Sequence, residues 1–75
     1  MEKTIGEVTK TNSVKTMVRL TEYKGHNLLD IRDYFKPRNS QSFTPTRKGI
    51  AIDVSKVSDI ITLLEKAEAE LASTK

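Results

Sequence analysis

Alternation of apolar and polar residues dominates the first two-thirds of the chain. Two runs, residues 15–23 and 28–35, place aliphatic side chains on one face and charged or hydroxyl side chains on the other. That period of two is typical of half-buried β-strands. Between the runs, the segment Lys24-Gly25-His26-Asn27 has the composition of a tight turn, and Gly25 can adopt a positive φ. The pattern therefore predicts a β-hairpin.

Two further strands are predicted beside the hairpin. Residues 47–52 alternate with two isoleucines on the core side, and Gly49 within this run predicts a β-bulge or a close backbone approach. Residues 4–10 alternate more weakly and supply the remaining strand. Residues 36–46 are polar and contain two prolines, so they predict a loop. All four strands thus fall within residues 4–52.

The hydrophobic period becomes helical after Asp53, which suits an N-cap because its carboxylate can accept a backbone N–H and its charge matches the helix N-terminus. Residues 54–72 predict one amphipathic helix. Its apolar stripe consists of Val57, Ile60, Ile61, Leu64, Ala67 and Leu71. The element order predicts an α+β fold (ββββα) in a single domain spanning residues 1–75.

A chain of 75 residues cannot build a large core. A single helix cannot both bury its own apolar stripe and cover the two faces of a four-stranded sheet. The sequence contains no cysteine, and its one histidine, His26, cannot hold zinc alone. Oligomerisation is the remaining means of stabilisation, so a partner subunit is expected. We expect neither a metal nor a cofactor.

The charge is distributed unevenly along the chain. Residues 1–52 contain ten Lys or Arg against five Asp or Glu, whereas residues 53–75 contain three against five. A basic region favours a polyanionic partner. No secretion signal and no membrane-spanning apolar run is recognisable. The expected location is a soluble intracellular one, in the nucleoid or cytoplasm of a bacterium or virus-infected cell or in a eukaryotic nucleus.

An enzymatic role finds no support in the sequence. A serine nucleophile could pair only with His26, which lies beside a glycine turn. Asp30 and Asp33 are three residues apart on a strand, so they face opposite sides and cannot act as a carboxylate pair. No glycine-rich phosphate loop occurs. We therefore expect a protein that is not an enzyme.

The predicted polar face has the chemistry of single-strand binding. It carries Arg19 and Tyr23 on one strand and Arg32 and Tyr34 on the next. Single-stranded nucleic acid binds where cations follow the phosphates and aromatic rings stack on the bases. The opposing interpretation is that aromatic residues in a small sheet belong to its core.

The segments Tyr23-Lys24-Gly25, Leu28–Phe35 (LLDIRDYF) and Arg47–Ile50 (RKGI), followed by a capped amphipathic helix, resemble the single-stranded-DNA-binding domain of the coactivator positive cofactor four and its bacterial and viral relatives. The resemblance covers roughly residues 5–71. It implies a curved antiparallel sheet, dimerisation through the helix and channels that hold two antiparallel single strands. The family's serine-rich and acidic N-terminal tail is not recognisable here.

The resemblance also implies which residues bind DNA and which form the dimer. Phe35 replaces a tryptophan, His26 stands where the family has a lysine, and Thr21 replaces an arginine for which Arg19 can substitute. The expected DNA-binding residues are Lys15, Arg19, Tyr23, Lys24, Arg32, Phe35, Arg47 and Lys48. The expected dimer interface consists of Val57, Ile60, Ile61 and Leu64.

For two of the expected DNA-binding residues, the alternation of the strand places the side chain on the same face as the core residues. Lys48 shares it with Ile50 and Ile52, so a bulge at Gly49 is required to release its side chain. Phe35 shares the parity of the aliphatic residues on its strand, and it is either a core residue or a stacking platform.

The favoured function is sequence-nonspecific binding of single-stranded DNA by a homodimer, which stabilises melted or displaced strands in transcription, replication, recombination or repair. One alternative is a transcription coactivator that acts mainly through contacts with transcription or replication proteins. Another is a dimeric interaction domain that binds no nucleic acid. RNA binding stays open, since stacking does not reject a 2′-hydroxyl.

Overall fold

The computed structural model describes residues 2–74 and has the predicted element order, ββββα. Its four strands form one open antiparallel sheet in the order β1-β2-β3-β4. The strands are β1 (Lys3–Thr9), β2 (Val14–Tyr23), β3 (His26–Phe35) and β4 (Thr44–Asp53), and they are followed by a 3₁₀ turn (Val54–Lys56) and helix α1 (Val57–Ser73). The predicted fold class is confirmed.

The strand register divides the side chains into the two predicted faces. Residues directly opposite each other on neighbouring strands share a face, and Val18 pairs with Ile31 while Leu20 pairs with Leu29. The apolar face consists of Val14, Thr16, Val18, Leu20, Leu29, Ile31, Asp33, Phe35, Ile50 and Ile52. The polar face consists of Lys15, Met17, Arg19, Thr21, Tyr23, Leu28, Asp30, Arg32 and Tyr34.

The β2–β3 hairpin closes through a two-residue turn. Tyr23 pairs with His26, and both intervening residues have positive φ, 50° for Lys24 and 81° for Gly25. Two consecutive positive φ values define a type I′ turn, whose twist matches that of the flanking strands. The positive φ predicted for Gly25 is confirmed, and Lys24 adopts a conformation that is unfavourable for a residue with a Cβ.

Strand β4 begins earlier than the sequence indicates, at Thr44 rather than Arg47. Pro45 belongs to the strand and pairs with Tyr34. A proline is tolerated there because β4 lies at the edge of the sheet, where one side of the strand makes no ladder bonds. The prediction of an irregular segment through Thr46 is therefore wrong at its C-terminal end, and the loop spans residues 36–43.

The predicted bulge in β4 is present just before Gly49. Tyr34 pairs with Pro45 and Arg32 pairs with Gly49, so three residues of β4, 46–48, lie opposite Asp33 alone. Gly49 is required by a close backbone approach. An added Cβ would lie 2.6 Å from the Ile31 carbonyl oxygen and 2.7 Å from the Arg32 Cβ.

The helix begins through a capped turn. The Asp53 Oδ1 accepts hydrogen bonds from the Ser55 backbone N–H at 2.9 Å and from the Ser55 hydroxyl at 2.7 Å. These bonds stabilise the charged carboxylate and lower the pKa of Asp53. Asp53 thus caps the 3₁₀ turn, and α1 continues from Val57. No helix in the described part of the chain is long and apolar enough to cross a membrane.

The helix leaves the sheet uncovered. Its main contacts are with the 3₁₀ turn that precedes it, and none of its described residues is buried. The molecule measures 42 × 39 × 18 Å, and among residues 2–74 the only buried apolar side chain is Ile52, at 9% exposure. The chain by itself consequently presents two apolar surfaces to solvent, one on the sheet and one on the helix.

Candidate nucleic-acid interface

An open cleft lies at the end of the apolar face that is remote from the hairpin turn. It has a volume of about 390 Å³ and is lined by Val14, Asp33, Phe35, Thr46, Arg47 and Lys48. We call it the Phe35 cleft. Phe35 pairs with Val14 on the apolar face, as its parity predicts, yet its side chain is 43% exposed. Within the described chain its ring is therefore a surface group.

The bulge of β4 supplies the cations of the Phe35 cleft. Arg47 and Lys48 are both exposed. Neither has a carboxylate within 4 Å among the residues that the structure describes. The Lys48 side chain lines the cleft on the apolar side of the sheet and is still exposed, because this end of the apolar face is open. The structure thus brings together three of the predicted DNA-binding residues, Phe35, Arg47 and Lys48.

Asp33 places one negative charge at the same cleft. Its carboxylate accepts hydrogen bonds from the Lys10 Nζ at 3.0 Å and from the Thr16 hydroxyl at 2.8 Å. These two bonds, with smaller contributions from the charges of Lys10 and Lys48, lower the pKa of Asp33. Lys10 balances this carboxylate, so Arg47 and Lys48 remain as excess positive charge. Asp33 and Asp30 face opposite sides of the sheet, as predicted.

A second exposed aromatic and cationic pair lies at the hairpin turn. The Tyr23 side chain is 62% exposed, and the Lys24 Nζ lies 5.3 Å from the centroid of its ring. Tyr23 ends β2, whereas Phe35 pairs with the first residue of that ten-residue strand. At the usual rise per residue the two positions are roughly 30 Å apart, and they belong to opposite faces. The structure therefore does not join the two predicted stacking residues into one platform.

The cations of the polar face have carboxylate partners. The Lys15 Nζ lies 3.0 Å from a Glu7 oxygen. The Arg19 Nη2 lies 3.8 Å from a Glu2 oxygen, and its Nε donates to the Thr4 hydroxyl at 3.2 Å. Both cations have partly buried side chains. Their charges are locally compensated, which distinguishes them from Arg47 and Lys48.

Arg32 is the most constrained of the predicted DNA-binding cations. Its Nε and Nη2 donate to the Asp30 carboxylate at 3.0–3.3 Å, and its Nη1 donates to the Thr46 carbonyl at 2.9 Å. The Asp30 hydrogen bonds are the main cause of a raised Arg32 pKa. The predicted contact between Arg32 and DNA stays a prediction, but its donors point to protein acceptors in the free chain.

Phe43 and Lys36 were not predicted as site residues. The Lys15 Nζ lies 4.2 Å from the centroid of the Phe43 ring, and the Lys36 Nζ lies 5.5 Å from it, within the range of cation–π attraction. These contacts fold the 36–43 loop towards the start of β2. The available sequence signal was an aromatic residue within a polar loop that also contains Lys36 and Arg38.

The residues predicted to form a dimer interface differ in exposure within the single chain. Val57 and Ile60 are partly buried by their own chain. Ile61 and Leu64, by contrast, are 50% and 60% exposed. The interface stays a prediction, and its two central residues are free to contact another surface.

A four-stranded antiparallel sheet with one C-terminal helix places the chain in the class of small α+β domains, and its exposed aromatic and cationic side chains are of the kinds that nucleic-acid-binding surfaces use. Within that class, the chain belongs to the transcriptional coactivator p15 (PC4) family, whose sequence profile matches residues 10–63. The family resemblance inferred from the sequence is confirmed, and it indicates DNA binding and a connection with transcription coactivation.

Solved structures agree with this assignment. A PC4 homologue from Burkholderia pseudomallei in an orthorhombic crystal form superposes with a TM-score of 0.80 at 30% identity, over 89% of each chain. The tetragonal form superposes with the same TM-score at 29% identity, over 91% of this chain and 98% of that one. A search of curated proteins gives no match.

Proposed function

We propose that the protein is a homodimer that binds single-stranded DNA without strong sequence preference. It acts by binding and carries out no catalysis. The observation that carries the proposal is the Phe35 cleft, in which an exposed aromatic ring lies beside Arg47 and Lys48. That combination can stack on a base and neutralise the adjacent phosphates. The bound strand is a melted or displaced one, in transcription, replication, recombination or repair.

The two exposed rings suggest how the strand runs. A strand that contacts Tyr23 and Phe35 of one chain spans roughly 30 Å along the β2–β3 hairpin and also passes from the polar face to the apolar face. Lys24 lies at one end of this path and Arg47 and Lys48 lie at the other. The paired cations Lys15 and Arg19 lie between them on the polar face, and they contribute where a phosphate replaces a carboxylate.

Low sequence preference follows from the chemistry of these groups. Phosphate contacts carry no base information, and every base has a face that can stack on an aromatic ring. Duplex DNA keeps its bases stacked on each other, so the rings of Tyr23 and Phe35 cannot reach their faces. The proposal therefore expects single strands to bind more tightly than duplex.

The uncovered apolar surfaces support the homodimer. A domain of this size needs an additional source of stability, and residues 2–74 of one protomer bury only Ile52. Ile50 on the sheet and Ile61 and Leu64 on the helix are at least half exposed. A second copy that covers them removes this apolar area from water, and at about 25 cal/mol per Å² the gain is large.

The binding test is fluorescence anisotropy with a labelled oligo-dT of about 20 nucleotides, against the matching duplex and across a salt series. The single strand should bind more tightly, and its affinity should fall with salt. Tyr23→Ala should cost about 1–3 kcal/mol, roughly 5- to 150-fold in Kd, whereas Tyr23→Phe, which keeps the ring, should bind nearly as the wild type does.

Lys66→Ala is the matched control for Lys48→Ala. Both replacements remove one positive charge, but Lys66 lies on the acidic helical segment. Equal, weak binding to single strand and duplex would indicate a generic basic surface and would remove stacking from the mechanism. No binding at low salt would favour an interaction domain or a coactivator that works through protein contacts. Competition by oligo-rU measures whether RNA is also bound.

Sedimentation equilibrium tests the homodimer separately. Leu64→Ala should weaken the dimer, because truncation of a buried leucine typically costs about 2–5 kcal/mol. Glu65→Ala, at the neighbouring helix position, should leave the dimer unchanged. A wild-type protein that is folded and monomeric at micromolar concentration would contradict the dimer and leave the binding proposal to be judged on the anisotropy data.

A further inference from the structure

The Arg32 guanidinium forms a two-part clamp. Asp30, two residues earlier on the same face of β3, accepts from the Arg32 Nε at 3.3 and 3.2 Å and from its Nη2 at 3.0 Å. The Arg32 Nη1 donates to the Thr46 carbonyl at 2.9 Å. The side chains of Arg32 and Asp30 are only 24% and 15% exposed. The planar guanidinium thus connects β3 to the first residue of the β4 bulge.

The bulge depends on Thr46 for its own hydrogen bonds. The Thr46 hydroxyl donates to the Asp33 carbonyl at 2.8 Å and accepts from the Lys48 backbone N–H at 3.2 Å. At the other end of the bulge, Gly49 packs directly on the backbone of Arg32. Residues 46–48 are therefore held on both sides by groups that belong to Arg32 or to its immediate neighbours.

We propose that Arg32 and Asp30 are positioning residues, which fix the bulge so that Arg47 and Lys48 face the Phe35 cleft. Arg32 acts through the bulge and does not bind a phosphate itself. This inference rests on the proposed function, and it assigns Arg32 a role different from the DNA contact that the family resemblance implied.

The arrangement of charges supports this assignment. To reach a phosphate, Arg32 must leave a carboxylate that is 85% covered and a backbone carbonyl that accepts its hydrogen bond. Both acceptors would then lose their partner in a partly dry environment, which is unfavourable. Arg47 and Lys48 are exposed, and within residues 2–74 neither has a carboxylate partner within 4 Å.

Asp30→Asn distinguishes positioning from simple electrostatics by the sign of its effect. Removal of a negative charge from a DNA-binding surface alone should tighten binding. Loss of the clamp should loosen the bulge and weaken binding to labelled oligo-dT by about three- to tenfold. Glu7→Gln is the matched control, because it neutralises a carboxylate that is paired with Lys15 on the same face. This control should bind slightly more tightly than the wild type.

Arg32→Lys provides a second variant that keeps the charge but cannot form the planar fork. It should weaken binding as much as Asp30→Asn does. Its effect should also be less than additive with Lys48→Gln, since both changes act on the same contact. Wild-type or tighter binding by Asp30→Asn, or wild-type binding by Arg32→Lys, would overturn the proposal.

Measurements on the wild-type protein cover the case in which a variant fails to fold. On titration with oligo-dT, the NMR resonance of the Arg32 Nε–H should stay in place while the Lys48 amide shifts. A large shift of the Arg32 resonance would mean that Arg32 contacts the DNA. If the wild type binds no oligonucleotide, the proposed function fails. The clamp is then judged by hydrogen exchange at the Lys48 amide, which should become faster in Asp30→Asn.

Discussion

The Phe35 cleft and the polar face contain similar cations in different electrostatic states. On the polar face, Lys15 and Arg32 each have a carboxylate oxygen at 3.0 Å, and Arg19 has one at 3.8 Å. In the cleft, Arg47 and Lys48 have none within 4 Å among the described residues. A count of positive residues therefore overstates the charge that a nucleic acid can use. What matters is which cations the fold leaves without a partner.

The difference has a local structural cause. In a regular antiparallel ladder, side chains on neighbouring strands are held close together, so Lys15 reaches Glu7 across the β1–β2 pair. The bulge interrupts this pairing, and residues 46–48 lie opposite Asp33 alone. Asp33 is already bonded to Lys10 and Thr16. Arg47 and Lys48 are consequently exposed without an ion-pair partner in the part of the chain that the structure describes.

Gly49→Ala should give the largest effect, because it disturbs the strand pairing next to the bulge. The added methyl group would lie 2.6–2.8 Å from the backbone and Cβ of β3, so the strands must move apart. We expect a loss of about 1–3 kcal/mol in the free energy of unfolding, together with weaker DNA binding. Thermal denaturation at fixed protein concentration measures the loss. Gly6→Ala, whose Cβ meets nothing within 4 Å, is the control and should change the melting temperature little.

Lys48→Gln against Arg19→Gln tests the comparison directly. Lys48→Gln should weaken binding roughly tenfold, about 1.4 kcal/mol. It should also reduce the slope of log affinity against log salt concentration by about 0.7, the value for one phosphate contact on a single strand. Arg19 must first leave Glu2, so its loss should cost less than about threefold. Anisotropy titrations at several salt concentrations give both quantities. Equal losses for the two variants would mean that the ion pairs do not limit the polar face.

Lys24→Asn should separate stability from binding at the hairpin turn. Asparagine is favoured at positive φ in a type I′ turn, so the free energy of unfolding should rise by about 0.5–1 kcal/mol. The lost charge beside Tyr23 should weaken single-strand binding about two- to fivefold. Urea unfolding and anisotropy should therefore move in opposite directions. A parallel decrease in both would show that Lys24 has a structural role.

Acid should produce the smallest effect, through the Asp33 carboxylate. Its folded-state pKa is lowered by its hydrogen bonds to Lys10 and Thr16. Because this pKa is lowered in the folded state, the ionised carboxylate contributes its full stabilisation at pH values above the ordinary pKa of 3.8. That stabilisation is lost as the pH falls through the folded-state pKa. Urea unfolding between pH 5 and pH 3 should show the loss. In Asp33→Asn the decline should be shallower, and an unchanged decline would contradict the assignment.

Much of the architecture is predictable because its determinants are local. Alternation assigned Val18 and Leu20 to one face and Arg19 to the other, and the register agrees. Asp53 predicted the helix start, and Gly49 predicted the irregularity in β4. The start of β4 was not predictable, since Pro45 is excluded from an interior strand but permitted at an edge, and only the sheet order shows which strand is at the edge.

The candidate site also has features that the sequence predicts and features that it does not. The sequence by itself determined the residue types, the face of each side chain and the need for additional cover, since these follow from periodicity and chain length. Tertiary structure alone decided that Tyr23 and Phe35 lie far apart, that Arg32 is clamped and that Lys48 has no carboxylate within 4 Å among the described residues. The reason is physical: the period of a strand is a property of consecutive residues. Pairing of charges, by contrast, depends on the register and bulges that bring distant parts of the chain together.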